Sequence, residues 1–351
     1  MTRFDPKDAS LLKLTDSVCV LTGGSAGIGA AVVSQLTLQG AKVVIGDVTA
    51  PSHELNSAEN VTFMHTDVRK YQDIISLFDS ALSKYGRVDH AIATTSTLAR
   101  GSAFDPNAGI EGIRQGPPEA DDAVLEINSL SALWFAHVAV QYLSHGEAKA
   151  KPEHGYRNKS LTLTASIASW QESGGLVAYQ ASQHSVLGLV RSLRRYLPAA
   201  FGDKIDGGIR VNCVSPGMTE TETEKQSLVT DAVRKAWAEA GLAVNSPVDV
   251  AQVIVGCARA GRGTRAIWYD GKDAPGLRKR ENFGGMDWVN DEPEARGMNG
   301  RNWVVVGGNS YDTEEGYDRT MDLWLGTPVA VHVRDAQKLL GPAGDWVKAR
   351  R

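Results

Sequence analysis

Cysteine is scarce in this chain: Cys19, Cys213 and Cys257 are the only three among 351 residues. Three thiols cannot form an even disulfide framework, and their spacing matches no metal motif. A disulfide scaffold and a structural metal module are therefore both excluded. Cys19 and Cys213 fall inside apolar, strand-like runs, where a thiol behaves as a small hydrophobe. Charge of one sign is lacking too. The formal net charge is -4, with 37 basic against 41 acidic residues, and this leaves no electrostatic footprint for nucleic acid. The basic clusters Arg191-Arg194-Arg195 and Arg278-Lys279-Arg280 are short and read as solvated faces. No apolar run approaches the length of a membrane span, and the opening M-T-R-F-D-P-K-D lacks the apolar segment of a secretory signal. The expectation is a cytoplasmic, reducing compartment, with no membrane and no nucleic-acid partner.

What is present is a soluble globular composition, 42% hydrophobic, in alternating strand and helix patterns. The apolar run Ser17 to Leu21 is followed by Thr22-Gly23-Gly24-Ser25-Ala26-Gly27-Ile28-Gly29. A helical pattern then closes at Gly40, and a second strand from Lys42 to Gly46 ends on Asp47. Strand, glycine-rich turn, helix, strand and acid open a nucleotide-binding α/β unit. Glycines let backbone approach a pyrophosphate, and the helix N-terminus offers it free N–H groups. Asp47 accepts from ribose hydroxyls in such a unit and repels a 2′-phosphate, which points to NAD rather than NADP.

Further along, strands are expected at Val61 to Thr66, Val88 to Ala93, Lys159 to Ala165 and Gly208 to Val214. Helices are expected at Arg69 to Tyr85, Asp122 to Ser144 and Ala178 to Leu197. Asp67 ends the third strand, where an acid serves an adenine amino group or simply caps a helix. Leu98 to Asp121 reads as a long loop, and Glu220 to Gly241 as a surface helix. Ser246-Pro247-Val248-Asp249 has helix-start chemistry. The fold class is α/β: a doubly wound, Rossmann-type parallel sheet forming a single domain over 1–351. Its core is 17–308, an insertion of about 261–300 precedes the last strand at Trp303 to Val306, and a C-terminal extension covers 309–351.

The stretch from Ser166 to Gln183 carries the chemistry. Tyr179 lies thirteen residues after Ser166 and four before Gln183. Positions i and i+4 share a helix face, so Tyr179 and Gln183 point into one cleft. A phenol beside a hydroxyl can exchange a proton with a carbonyl oxygen when something adjusts its pKa. An unperturbed phenol is ionised in only about one molecule per thousand at neutral pH, and the amide of Gln183 brings no charge to change that. His184 should face partly away, and Lys159 lies too far off.

With T-G-G-S-A-G-I-G at 22–29, D-V at 67–68, Asn128, Ser166, Tyr179 and P-G at 216–217, the chain resembles the short-chain dehydrogenase/reductase family from about Ser17 to Gly308. Its tail from Gly307 is similar to fungal members that are hydroxyprostaglandin-dehydrogenase-like. The resemblance implies that Tyr179 is the acid/base, that Ser166 bonds the substrate oxygen, and that Asn128 holds a helix kink and a water relay. It also implies cofactor contacts from Gly23, Ser25, Gly27, Ile28, Gly29, Asp47, Asp67, Val68, Ala93, Thr94, Tyr179, Gln183, Pro216, Gly217 and Thr219, with no metal. Two positions depart from the family. Gln183 stands where a lysine binds the nicotinamide ribose and lowers the phenol's pKa. Ala93-Thr94-Thr95-Ser96 replaces N-N-A-G, so Ser96 crowds or reshapes a backbone contact that glycine leaves open.

The implied activity is an NAD-dependent interconversion of a secondary alcohol and a ketone, on a small apolar or secondary-metabolite substrate. A redox-neutral isomerisation, cyclisation or dehydration on the same scaffold, or a non-catalytic cofactor-binding role, stays open. A homodimer or homotetramer through the helices carrying Asn128 and Tyr179 is the expected assembly.

Overall fold

The computed structural model describes residues 2–7, 11–98, 104–105, 107–116, 119–145, 158–201, 208–221, 231–261, 264, 267–268 and 298–339. A short opening strand, β1 (Thr2–Phe4), precedes the first strand–helix–strand unit, formed by β2 (Val18–Thr22), α1 (Gly27–Leu38) and β3 (Lys42–Asp47). A single turn, α2 (His53–Asn56), leads to β4 (Val61–His65), and α3 (Tyr71–Tyr85) connects it to β5 (His90–Ala93). The connection that follows contains α4 (Gly109–Arg114), a helical turn where sequence suggested only loop.

Next comes α5 (Glu119–Leu125), which continues through a π-helical turn at Glu126–Leu130 into α6 (Ser131–Leu143). Strand β6 (Lys159–Thr164) delivers Ser166 to a 3-10 turn and then to α7 (Val177–Phe201). After β7 (Ile209–Pro216) the chain forms α8 (Asp231–Glu239), α9 (Pro247–Arg259), β8 (Ile267–Trp268), β9 (Asn302–Val306), β10 (Asn309–Asp312), α10 (Thr313–Leu325) and α11 (Thr327–Leu339). Most of the expected 261–300 insertion, including Arg278-Lys279-Arg280, lies outside the described residues.

Among the described residues one sheet forms, in the order β4-β3-β2-β5-β6-β7-β9-β10-β1-β8. Its first seven strands pair in parallel, as doubly wound folds require. Strands of this part are buried on both faces and read as apolar runs; β2, for instance, is wholly buried. One core lies under α3, α6 and α7, with Phe78, Phe135, Leu161 and Val190 in contact. The other lies under α1 and α9, around Val33, Leu36, Ile254 and Trp303. Helix α3 shows how sequence selects the face: Ile74, Leu77, Phe78 and Ala81 recur at helical spacing and are its buried residues. Gly86 stops it in the left-handed conformation. Helix α9 has the expected start, a reciprocal capping box between Ser246 and Asp249 with Pro247 in the first turn.

Two sequence expectations need correction. The run Asp121–Leu143, with mean hydropathy 1.4, is long and apolar enough to cross a membrane by composition, although no such run was anticipated. Half of it is buried in this protein, where Phe135, Ala139 and Leu143 fill the sheet-facing core. Burial of that face accounts for its apolar character. The arginines at 191 and 194 are also not a solvated face. Both pair with the buried Glu314 of α10, Arg191 through two nitrogens at 2.9 and 2.8 Å and Arg194 at 3.0 Å. These contacts fasten α10 to the helix that carries Tyr179.

Beyond β9 the sheet turns antiparallel. Strand β10 folds back on β9, β1 joins β10 with Thr2 opposite Asp312, and β8 pairs with the outer side of β1. Phe4 stacks on Trp303 with ring centroids 5.4 Å apart. It also sits where a side chain on Gly256 would be, since a Cβ there would lie 2.4 Å from the Phe4 ring.

Candidate active site

The carboxyl ends of β2, β3, β5, β6 and β7 gather the residues singled out by sequence. At the end of β2 the chain turns through Gly23, whose φ is +78°. A Cβ at Gly23 would stand 2.6 Å from the Thr95 backbone nitrogen, and one at Gly29 only 1.9 Å from the Gly23 carbonyl oxygen. No side chain fits at either position, so the turn stays tight and its backbone open to a ligand. Asp47 closes this cradle: its carboxylate accepts from the backbone N–H groups of Ser25 at 3.1 Å and Thr49 at 3.2 Å. Thr94 Oγ1 donates to the Thr22 carbonyl at 2.7 Å and ties β5 to the same turn. Thr221 was not singled out by sequence, yet its side chain lies against Gly27, 3.3 Å from where a Cβ would be.

Asp67, expected to serve an adenine amino group or to cap a helix, accepts from the Arg69 backbone N–H at 3.1 Å. Its two carboxylate oxygens face the Arg69 guanidinium at 3.0 and 2.8 Å. The hydrogen bond from Arg69 holds this carboxyl below its usual range, against the opposing effect of burial. Val68 follows it in a buried position. At the end of β7, Gly217 N–H donates to the Val305 carbonyl at 2.9 Å, and Thr219 Oγ1 donates to the Gly217 carbonyl at 2.9 Å. Pro216 and Gly217 thereby fix the chain where it leaves the sheet.

Ser166 caps the 3-10 turn after β6, its Oγ accepting from Ala168 N–H at 3.2 Å. Asn128 sits in the π-helical turn, buried, and is held from three sides. Its Oδ1 accepts from Thr97 N–H at 2.8 Å, while its Nδ2 donates to the Thr97 carbonyl at 2.9 Å and to Ser182 Oγ at 3.0 Å. Ser182 Oγ in turn donates to the Tyr179 carbonyl at 2.7 Å. The widened turn is the helix kink expected at Asn128, and it joins the loop after β5 to the first turns of α7.

Tyr179 is half-buried at the start of α7. Burial pushes the phenol above its ordinary pKa, and hydrogen bonds from the Ser166 and Ser96 hydroxyls oppose that rise. Neither of the candidate cations considered from sequence takes the place of the missing lysine. His184 is exposed, its Nδ1 2.9 Å from the Gln180 carbonyl. Lys159 is buried and paired with Asp89 at 2.9 Å, at the opposite end of β6. Gln183 is 1% exposed, and its Oε1 has no hydrogen-bond partner. Thr95 Oγ1 and Thr164 Oγ1, at the ends of β5 and β6, are likewise buried without one. Orphaned polar atoms of this kind are uncommon in folded proteins, and a polar ligand with hydroxyl groups would satisfy them.

Residues 17–231, more than half of the chain, match the family model for short chain dehydrogenase. The chain belongs to that family. Short-chain dehydrogenases are oxidoreductases that use a nicotinamide cofactor, and the glycine cradle, Asp47 and the unpartnered Gln183 amide of this one fit such a group. Among named relatives, the short-chain dehydrogenase/reductase ascJ of Acremonium egyptiacum is 31% identical over 225 residues, spanning 63% of this chain and 69% of the relative. The short-chain dehydrogenase/reductase prx4 of Penicillium rubens is 27% identical over 326 residues, 93% of this chain and 85% of the relative. The crystal structure of gox2181 superposes with a TM-score of 0.56 at 22% identity, over 70% of this chain and 90% of that one. That likeness shows a shared fold.

Proposed function

We propose that this protein interconverts a secondary alcohol and a ketone with NAD. The observation that carries the reading is the placement of Ser166 on the turn that leads into α7, which carries Tyr179, a phenol that burial raises above its ordinary pKa. A neutral phenol is the acid that a ketone oxygen needs as it gains charge. The cofactor, when bound, supplies or accepts the hydride. Ser166 polarises the substrate oxygen, Tyr179 gives it a proton in reduction or takes one in oxidation, and Asn128 steadies the helix turn that carries Tyr179 through Ser182. Gln183 offers its free Oε1 to a ribose hydroxyl, keeping a lysine's positional role without its charge. Trp170 and Val177 are exposed on the stretch between Ser166 and Tyr179, which supports an apolar substrate.

The choice of NAD rests on Asp47, whose carboxylate would oppose a 2′-phosphate. Fluorescence titration of the pure protein with NADH and NADPH tests it: NADH should bind about tenfold or more tightly, and Asp47→Ala should narrow the gap. Tighter binding of NADPH, unchanged in the variant, would refute the assignment.

The assembly proposed is a dimer of identical chains, or a tetramer built from it. An apolar groove of about 440 Å³ runs between Leu125, Leu130 and Leu133 on one side and Leu189 on the other. The first three are at least 39% exposed. These side chains lie on the helices that carry Asn128 and Tyr179, and a second copy would bury them. Leu133→Asp places a charge there and should convert the oligomer to a folded monomer, read by light scattering and circular dichroism. A wild-type monomer at micromolar concentration would rule the proposal out.

A further inference from the structure

We propose that Thr313 and Glu314, at the start of α10, are positioning residues that clamp the turn of Ser166 and the helix of Tyr179 at a fixed spacing. The inference rests on those two side chains being the reacting pair, as proposed above, and concerns what holds them together from outside the site. Two neighbouring residues of the C-terminal extension reach the two elements separately, one through a line of neutral hydrogen bonds and the other through ion pairs.

The neutral arm starts at the 3-10 turn. Ser169 N–H donates to the Ser166 carbonyl at 2.8 Å, and Ser169 Oγ lies 3.2 Å from Ser215 Oγ on β7. Ser215 Oγ donates to Asn302 Oδ1 on β9 at 2.7 Å, and Asn302 Nδ2 donates to Thr313 Oγ1 at 2.9 Å. A hydroxyl has one proton to give, so Ser169 is the donor to Ser215 and the line runs in one sense as far as Asn302. Ser169, Ser215 and Asn302 are buried, where an unmet donor or acceptor is costly. Breaking the line at Thr313 leaves the Asn302 amide without that acceptor and frees the residues behind it to shift.

The charged arm ends on α7. Glu314 is buried and accepts from Arg191 and Arg194, and the Arg191 guanidinium also lies 5.2 Å from the centre of the Tyr317 ring. Asp312 caps α10: one carboxylate oxygen accepts from Glu314 N–H at 3.1 Å and the other from Arg301 at 2.6 Å. The start of α10 is thereby held against the chain entering β9. Arg191 lies twelve residues after Tyr179, about 18 Å along a helix. Gln180 ties the near end of α7 to the segment after Ser166, accepting from Ser173 N–H at 3.0 Å and donating to the Gln171 carbonyl at 2.8 Å. A rod held at one end can swing, and the arginine contacts hold the other. A side chain as long as tyrosine turns a small rotation of its helix into a displacement of its hydroxyl, and a misplacement of about 1 Å can lower a rate about a hundredfold.

The test compares wild type, Thr313→Val, Thr313→Ser and Glu314→Gln in the full chain, by hydrogen exchange read with mass spectrometry and without cofactor. Circular dichroism confirms folding. Thr313→Val keeps the shape of a partly buried side chain and removes its oxygen, so it carries the test if Glu314→Gln does not fold. In Thr313→Val, exchange should rise about tenfold in residues 166–171. In Glu314→Gln it should rise about tenfold in residues 177–187, and neither variant should change residues 23–38 of the glycine turn and α1. Thr313→Ser should match wild type. With a ketone and NADH, Thr313→Val should lower kcat about tenfold while KM and the NADH Kd change by less than about twofold. In a Tyr179→Phe background the same substitution should lower kcat no further. Unchanged exchange in 166–171, or in 177–187 of a folded Glu314→Gln, would overturn the proposal. So would an equal rise over 23–38, the same rise in Thr313→Ser, or a loss of cofactor affinity in proportion to kcat. If exchange moves as expected but the wild type reduces no ketone, the clamp stands and the alcohol–ketone reading fails.

Discussion

Gln183→Lys should raise alcohol oxidation at neutral pH by up to about 100-fold, with kcat/KM for ketone reduction rising by the same factor because the overall equilibrium is unchanged. Oxidation needs the phenolate of Tyr179, which burial now disfavours. An ammonium one helical turn away acts on that ionisation directly, and an opposite charge at about 4–6 Å lowers a pKa by roughly 1–3 units. Each unit is about tenfold in the phenolate fraction well below the pKa. Reduction starts from the neutral phenol, which dominates at neutral pH with or without the lysine, and its rate responds to the acid's greater strength. The effect should be strongest near pH 7 and shrink as pH rises toward the wild-type phenol's pKa. Initial rates in both directions, with circular dichroism to confirm folding, decide the matter. Equal loss in both directions would show that the amide of Gln183 is needed for position and that the absent charge limits nothing.

Tyr179→Phe is expected to lower both directions by about 10³-fold, the scale of a lost general acid or base. Cofactor affinity should change far less, since the substitution removes one hydroxyl and leaves the ring in place. The pH dependence carries a definite sign. A phenol raised above its ordinary value of about 10 stays protonated through the neutral range. Wild-type reduction should therefore be flat there and fall only as pH climbs through the raised pKa, whereas oxidation should climb with pH over the same span. Residual activity in Tyr179→Phe should lose both trends. Full activity in the variant would remove Tyr179 from the chemistry and favour a redox-neutral use of Ser166 on the same scaffold.

These expectations rest on features that sequence exposes unequally. The glycine turn is legible because only a residue without Cβ fits where Gly23 meets Thr95 and Gly29 meets Gly23, so local geometry writes itself into residue type. Ser166 and Tyr179 are legible for a similar reason: a strand end and a helix face place them by spacing alone. The bond from Ser96 to Asn128 is not, because it depends on how a loop turns after β5, and nothing in A-T-T-S sets that path. The pairing of Asp67 with Arg69 is not legible either, because it is an outcome of side-chain rotation rather than pattern. The pairing of Arg191 and Arg194 with Glu314 is invisible for a third reason. It spans 120 residues or more, and charge spacing along one helix cannot name a partner on another. The antiparallel end of the sheet shares that difficulty, with Thr2 to Phe4 too short to read as a strand before its neighbours are known.

That end of the sheet also imposes an order of events. Residues 2–4 are synthesised before any other strand, yet the strands they lie between, β10 and β8, include residues 309–312 and 267–268. Closing so long a loop costs conformational entropy that grows with the intervening length, and contacts of large sequence separation slow folding. The parallel strands can assemble on a nascent chain while β1 still has nothing to pair with. Phe4, destined for the space beside Trp303 and Gly256, must wait exposed until the final helices emerge. A chain interrupted between β7 and β9 would therefore carry a nearly complete nucleotide cradle and an unpaired β1, and Phe4 would be within reach of a quality-control protease or chaperone.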